Sequence, residues 1–216
     1  MLVAVAINIG RLAMAKVIST HIDLLRHGAC EGGEIFRGST DVALSELGWQ
    51  QMRDKVLSMG EVYWDNIVSS PLQRCQRFAE TLSAERGTPL AIRDNLREMH
   101  FGDWEGLAHD IARQRFPQEW SDFWESPAEA SPPNGEAMPD FCQRVTMELD
   151  AIAAQHQGQS VLLVVHGAVI RVMICHWLGM PMGAMTRLSV PYAGLTRFTV
   201  YHQDGKAPWV QLGSHY

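Results

Sequence analysis

Three short polar clusters in a chain of 216 residues carry histidine, arginine or both. They are Arg26-His27-Gly28, the arginine of Ser69-Ser70-Pro71-Leu72-Gln73-Arg74, and His166-Gly167. Guanidinium forks match the non-bridging oxygens of a phosphate, and a neutral imidazole can attack phosphorus and carry the phosphoryl group. Two histidines and two arginines brought to one rim would therefore make a phosphate site that needs no metal. The leaving oxygen still requires an acid, and Glu98 is the carboxylate expected to reach the same rim. Taken singly, these residues read better as a hydrogen-bonded structural histidine, a solvated helix arginine or a surface carboxylate. Their combination is what points to chemistry.

The elements that would carry these residues are strands followed by helices. Ser19 to Leu25 reads as a short buried strand ended by Arg26-His27-Gly28, and Ile67-Val68-Ser69 as a second. Leu90 to Ile92 makes a weak third, and Ser160 to Val165, ended by His166-Gly167, is the clearest of all. Helical spacing follows at Trp49, Met52, Arg53, Val56 and Leu57, with Ser45 as N-cap. It recurs at Leu72, Cys75, Phe78, Ala79 and Leu82, where Ser70 is expected to cap and Pro71 to open the helix. Two further patterns are Phe141, Val145, Leu149, Ile152 and Val169, Ile170, Met173, Trp177. Beyond Pro181, alternation at Leu188 and Val190 and at Phe198 and Val200 predicts edge or antiparallel strands. Strands alternating with helices predict a three-layer α/β/α sandwich with a mainly parallel central sheet and an antiparallel edge. Ligands of such sheets bind outside the carboxyl ends of the strands, where the three clusters fall.

Composition limits the function classes. The net charge of −6 disfavours nonspecific nucleic-acid binding, and no apolar run reaches the roughly 18 residues of a spanning helix. Of 18 cations only Lys16, Lys55 and Lys206 are lysines, so arginine dominates. Cys30, Cys75, Cys142 and Cys175 are too widely spaced for a zinc site or a disulfide framework, and reduced thiols fit a cytoplasmic protein. No metal or cofactor is expected. Met1 to Ala15 lacks a cationic start and is interrupted by Arg11, so it does not read as a leader, and Met14 is an alternative start. The expected organisation is an N-terminal extension over 1–18 and a single domain over 19–216, with a helical insertion at about 101–135 holding Trp104, Trp120 and Trp124.

Four segments, in order, resemble the signatures of the histidine phosphatase superfamily, the phosphoglycerate-mutase-like fold. They are Asp23-Leu24-Leu25-Arg26-His27-Gly28, Ser69 to Arg74, Leu96-Arg97-Glu98-Met99-His100-Phe101-Gly102-Asp103-Trp104-Glu105-Gly106, and Val164-Val165-His166-Gly167. The resemblance covers about Thr20 to Phe198. It implies that His27 is the phosphorylated nucleophile, that Arg26 and Arg74 clamp the phosphate, that His166 is the second pocket histidine and that Glu98 donates the proton. Gly32 to Ser45, followed by Gly48-Trp49-Gln50-Gln51-Met52, is similar to the α-ribazole-phosphate phosphatases of cobalamin nucleotide-loop assembly. Departures from the superfamily pattern are Ala29, Cys30 and Gly33 after the nucleophile, and Ala137 after Gly135-Glu136.

The implied activity is hydrolysis of a small phosphorylated metabolite. The alternatives are a phosphoglycerate-mutase-type transferase and a non-catalytic protein that binds phosphorylated ligands. Arg37, in the loop after the nucleophile, is the cation expected to meet the non-reacting part of the substrate, and Gly167 is a further candidate contact. The loop Glu31 to Thr40 is expected at the pocket mouth, and a substantial closed cover is expected only from the chain between Glu98 and His166. Phe101 to Pro133 is shorter than the mutases of the resembled family carry there, so water is expected to reach a phosphohistidine.

Overall fold

The computed structural model describes residues 17–216, so the expectations for Met1 to Ala15 fall outside the described residues. The chain runs β1 (Val17–Arg26), α1 (Glu46–Ser58), β2 (Asn66–Ser69), α2 (Gln73–Arg86), β3 (Leu90–Ile92), α3 (His109–Arg115) and α4 (Pro117–Glu125). It continues with α5 (Met138–Gln155), β4 (Ser160–Val165), α6 (Gly167–Trp177), β5 (Leu195–Gln203) and β6 (Trp209–His215). The strands form one sheet in the order β3-β2-β4-β1-β5-β6. The β3, β2, β4 and β1 strands run parallel, and β5 and β6 are antiparallel additions at the β1 side.

Alternation along β4 shows how the two faces are covered. Val161, Leu163 and Val165 join Phe141, Val145 and Leu149 of α5 and Val169 and Met173 of α6 in one buried cluster. Leu162 and Val164 face the other way, onto Met52 and Val56 of α1 and Cys75, Phe78 and Leu82 of α2. A run that is apolar at every position is what a strand needs when helices cover both of its faces. The fold is thus an α/β sandwich with a mainly parallel sheet and an antiparallel edge. Among the described residues no helix is long and apolar enough to cross a membrane.

Local expectations fare unevenly. Ser45 does cap α1, its hydroxyl accepting the Gly48 amide at 3.1 Å, a contact worth about 1 kcal/mol. Leu57, placed on the apolar face by its spacing, is 73% exposed. The face that packs is Gly48, Met52 and Val56, and Leu57 lies about 100° around the helix from Val56. Ser70 and Pro71 do not open α2. The Ser70 amide is still bonded to the Val164 carbonyl at 3.1 Å, the chain bends at Pro71, and the helix starts at Gln73 after an extended Leu72. Leu188 and Val190 form no strand either. The carbonyls a strand would offer a neighbour accept instead from Arg171 at Leu188, His215 at Ser189 and Arg26 at Val190.

Candidate active site

His27 follows the last residue of β1 and His166 the last residue of β4, strands in register with Arg26 opposite Val165, so their rings meet at the rim. The ring centroids are 5.2 Å apart, edge to face. Both imidazoles are almost fully buried. The turn that carries His27 depends on glycine, since a Cβ on Gly28 would stand 2.2 Å from the Gly48 carbonyl oxygen. That contact lets α1 approach the end of β1 closely.

Hydrogen bonds fix the tautomers. His27 Nδ1 is 2.8 Å from the Gly28 carbonyl, which can only accept, so Nδ1 carries the proton and Nε2 keeps its lone pair. Burial, and after it the charges of Arg74 and Arg26, hold His27 well below the usual histidine range. His166 is pushed the same way, by burial and then by Arg74 and His27. Its Nδ1 accepts from Arg74 Nε at 3.3 Å, so in the neutral ring Nε2 bears the proton and donates to Ser70 Oγ at 2.7 Å. The serine expected to cap a helix is thus a partner of this histidine. The thiol of Cys75 lies 3.6 Å from Nε2, and burial raises its pKa far above the usual thiol value.

Arg74, in the first turn of α2, is 1% exposed. Besides His166 it donates to the carbonyls of Thr40 at 2.9 Å and Gly38 at 2.6 Å. A guanidinium has five N–H groups, so two remain for a ligand. Arg26 donates to the Val190 carbonyl at 2.6 Å and stacks 4.2 Å over the Tyr192 ring. Its Nε is buried with no partner. Gly167 leaves room for it, because a Cβ there would lie 3.2 Å from Arg26 Nε and 3.5 Å from Arg171 Nη1. Glu98 is buried too, with its carboxylate held by the amides of Met99 at 3.1 Å and Ala168 at 3.2 Å.

Arg37 lines the same cavity but is 7% exposed, and its terminal nitrogens are already engaged. They donate to the carbonyls of Cys30, Glu31, Gly33 and Ile35 and to the Tyr192 hydroxyl. Its Nε has no partner. The guanidinium therefore gathers the loop that follows the nucleophile, a task that its place in the sequence did not indicate.

His166 is fully buried, whereas His27, Arg26, Arg74, Glu98, Gly167 and Arg37 line a cavity of about 530 Å³. Its wall includes Arg26, Arg37, Arg74 and Arg171 against Glu34 and Glu98, so a cationic hollow sits in a chain of net charge −6. Arg171, one helical turn beyond Gly167, and Tyr192 were not anticipated. The spacing from Gly167 is the signal that could have found the arginine. Glu34 to Gly38, in the loop expected at the pocket mouth, line the cavity with residues between Glu98 and His166, and Met185, Thr186 and Tyr192 were not expected there.

Residues 22–211 match the family described as the histidine phosphatase superfamily (branch 1). Over 196 residues the chain is 32% identical to a bifunctional protein of Mycobacterium tuberculosis, a match covering 88% of this chain and 53% of that one. It thus spans about half the length of that curated relative. It is also 32% identical over 209 residues to the glucosyl-3-phosphoglycerate phosphatase of Mycolicibacterium vanbaalenii, covering 89% of this chain and 83% of the relative. Among solved structures, the alpha-ribazole phosphatase from Shigella flexneri superposes with a TM-score of 0.75 at 27% identity, covering 89% of this chain and 95% of that one.

Proposed function

The chain belongs to the histidine phosphatase superfamily, and on that premise we propose that it is a phosphomonoesterase working through a phosphohistidine on His27. One observation carries the reading. The neutral lone pair of His27 Nε2 lies at the end of a cavity where Arg26 Nε is a buried donor without a partner. A buried N–H of this kind calls for an acceptor, and a phosphate oxygen is one.

In the proposed reaction His27 Nε2 attacks phosphorus, forming an N–P bond as the P–O bond to the leaving group breaks. Arg26 and the two free N–H groups of Arg74 meet the charge on the non-bridging oxygens. His166 acts through Arg74, because both of its ring nitrogens are taken by protein partners. Glu98 gives its proton to the leaving oxygen. In the second half-reaction it takes one from the water that attacks the phosphohistidine, and phosphate and free His27 result. The guanidinium forks supply the positive charge, so the reaction is proposed to need no metal and to survive a chelator. The substrate is a small phosphorylated metabolite, and α-ribazole 5'-phosphate belongs in the first set tried, given the Shigella flexneri structure.

The test is an alkaline quench during turnover of a labelled ester. An acid-labile phosphoenzyme is expected in the wild type and none in His27→Ala, which should also lose turnover. Label persisting on the alanine variant overturns the assignment. Because His27 is held well below the usual histidine range, the acid limb of kcat/KM is expected below about pH 6.5. Protonation there removes the lone pair.

A further inference from the structure

The cavity has a second end that the proposed chemistry does not use. Phe36, Phe101, Trp120, Phe123, Trp124 and Met185 all line it. Their rings touch in sequence: Phe36 to Phe101 at 5.0 Å between centroids, Phe36 to Trp120 at 6.0 Å, Trp120 to Trp124 at 5.5 Å and Phe123 to Trp124 at 5.4 Å. Trp124 is nevertheless 43% exposed. A ring system this large, part wet and part packed, presents unfilled apolar surface to whatever enters.

The charges of the cavity lie elsewhere. Arg26, Arg37 and Arg74 are close enough to His27 to depress it, and Arg171 faces Glu98 and Arg26. Arg37 is further bound by its loop carbonyls. On the aromatic side His109 and Thr186 add hydrogen-bonding groups without a permanent charge, and Glu34 adds a carboxylate to the lining. Glu34 in the lining would repel a second anion on the leaving group, whereas Arg171, engaged through its Nε at the Leu188 carbonyl, is a cation of the same lining.

Resting on the phosphomonoesterase reading, we infer that the substrate is a phosphate monoester whose alcohol carries a flat, apolar, uncharged group that packs against Trp120 and Trp124.

The experiment compares 2-phenylethyl phosphate with ethyl phosphate, whose leaving groups are nearly equal in basicity, and with O-phosphoserine. The phenyl ester is expected to exceed ethyl phosphate in kcat/KM by roughly ten- to a hundredfold, from burial of the ring. O-phosphoserine, which brings no apolar group, is expected to fall below the phenyl ester. Trp124→Ala and Trp120→Ala should each bring the phenyl-to-ethyl ratio down toward one. Two substitutions are used because Trp120 also stacks on the buried Trp104, whereas Trp124 is partly exposed. A ratio near one in the wild type, or one that neither substitution moves, overturns the inference. Dissociation constants from tryptophan fluorescence give the same comparison without turnover. Selective binding with no hydrolysis would sink the phosphatase reading and uphold this one.

Discussion

At the reacting end of the cavity the side chains are held by main-chain atoms, whereas at the far end they are held by one another. Arg74 is fixed by the carbonyls of Gly38 and Thr40, Glu98 by the amides of Met99 and Ala168, and His27 by the carbonyl of Gly28. The aromatic wall is fixed by rings on rings: Trp104 lies 5.2 Å from Phe123 and 5.6 Å from Trp120, and Phe36 lies 5.3 Å from Trp104. Main-chain bonds have direction and leave little slack, which suits atoms that must meet a reacting phosphorus. Ring packing tolerates changes of partner, which suits selection of a leaving group. Substitutions at the first end should therefore change the rate of chemistry, and those at the second should change which ester is taken.

The largest expected effect that would break this division is at Glu98. For Glu98→Gln the loss should depend on the leaving group, about 10² to 10⁴-fold with a poor one such as an alkoxide and little with p-nitrophenolate, which needs no proton. Equal losses on both esters would remove the general-acid role.

Arg74→Lys comes next. A lysine offers a point charge in place of a fork, and it cannot keep Thr40, Gly38 and His166 together while still reaching phosphate. A fall of roughly ten- to a thousandfold in kcat/KM is expected, or about 1.4 to 4 kcal/mol. Wild-type kinetics would take the arginine out of the site.

The same division governs how far the sequence could be read. His27, Arg74 and His166 sit just after strand ends, and Glu98 closely follows β3, where the crossover topology must bring them together. Their types and order were enough to group them. What failed were positions whose role is set by a distant partner. Ser70 has the residue type and the following proline of a helix cap, yet its hydroxyl accepts from His166, 96 positions away, and from the Leu72 amide ahead of the helix. Leu188 and Val190 alternate like a strand, but arginines from α6 and β1 take their carbonyls. The tryptophans of the insertion stood in the expected cover, but nothing in their spacing told Trp120 and Trp124, which line the cavity, from Trp104, which is buried in the core.

Arg37 sharpens the contrast, because it stands on the first end and yet was expected to read the substrate. With its terminal nitrogens on loop carbonyls, Arg37→Ala should loosen the loop from Cys30 to Ile35. A rise of about tenfold or less in KM is expected, with kcat less affected. An unchanged KM for the best ester would show that neither the loop nor the buried Nε contributes to binding.

The smallest effect concerns a group that ties the two ends together. The Glu105 carboxylate accepts from the amides of Ser39 at 2.8 Å and Thr40 at 3.0 Å, from both of their hydroxyls, and from the Phe101 amide at 3.0 Å. Ser39 and Thr40 belong to the loop that holds Arg74, and Phe101 belongs to the aromatic wall. Partial burial by itself raises the Glu105 pKa, but the hydrogen bonds from Thr40, Ser39 and Phe101 outweigh it and hold the carboxyl below its usual range. A carboxyl depressed in the folded state stabilises that state above its unfolded pKa of about 4.3, and the stabilisation is lost as pH falls through the lower folded value. Glu105→Gln keeps an acceptor and loses the charge, so its Tm should lie a few degrees below wild type at pH 7, on the order of 1 kcal/mol. The gap should narrow as pH falls below about 4.3, where the wild-type carboxylate is itself being protonated. A gap of constant size across that range would mean that the charge does not hold the loop, and the link between the two ends would then rest on packing alone.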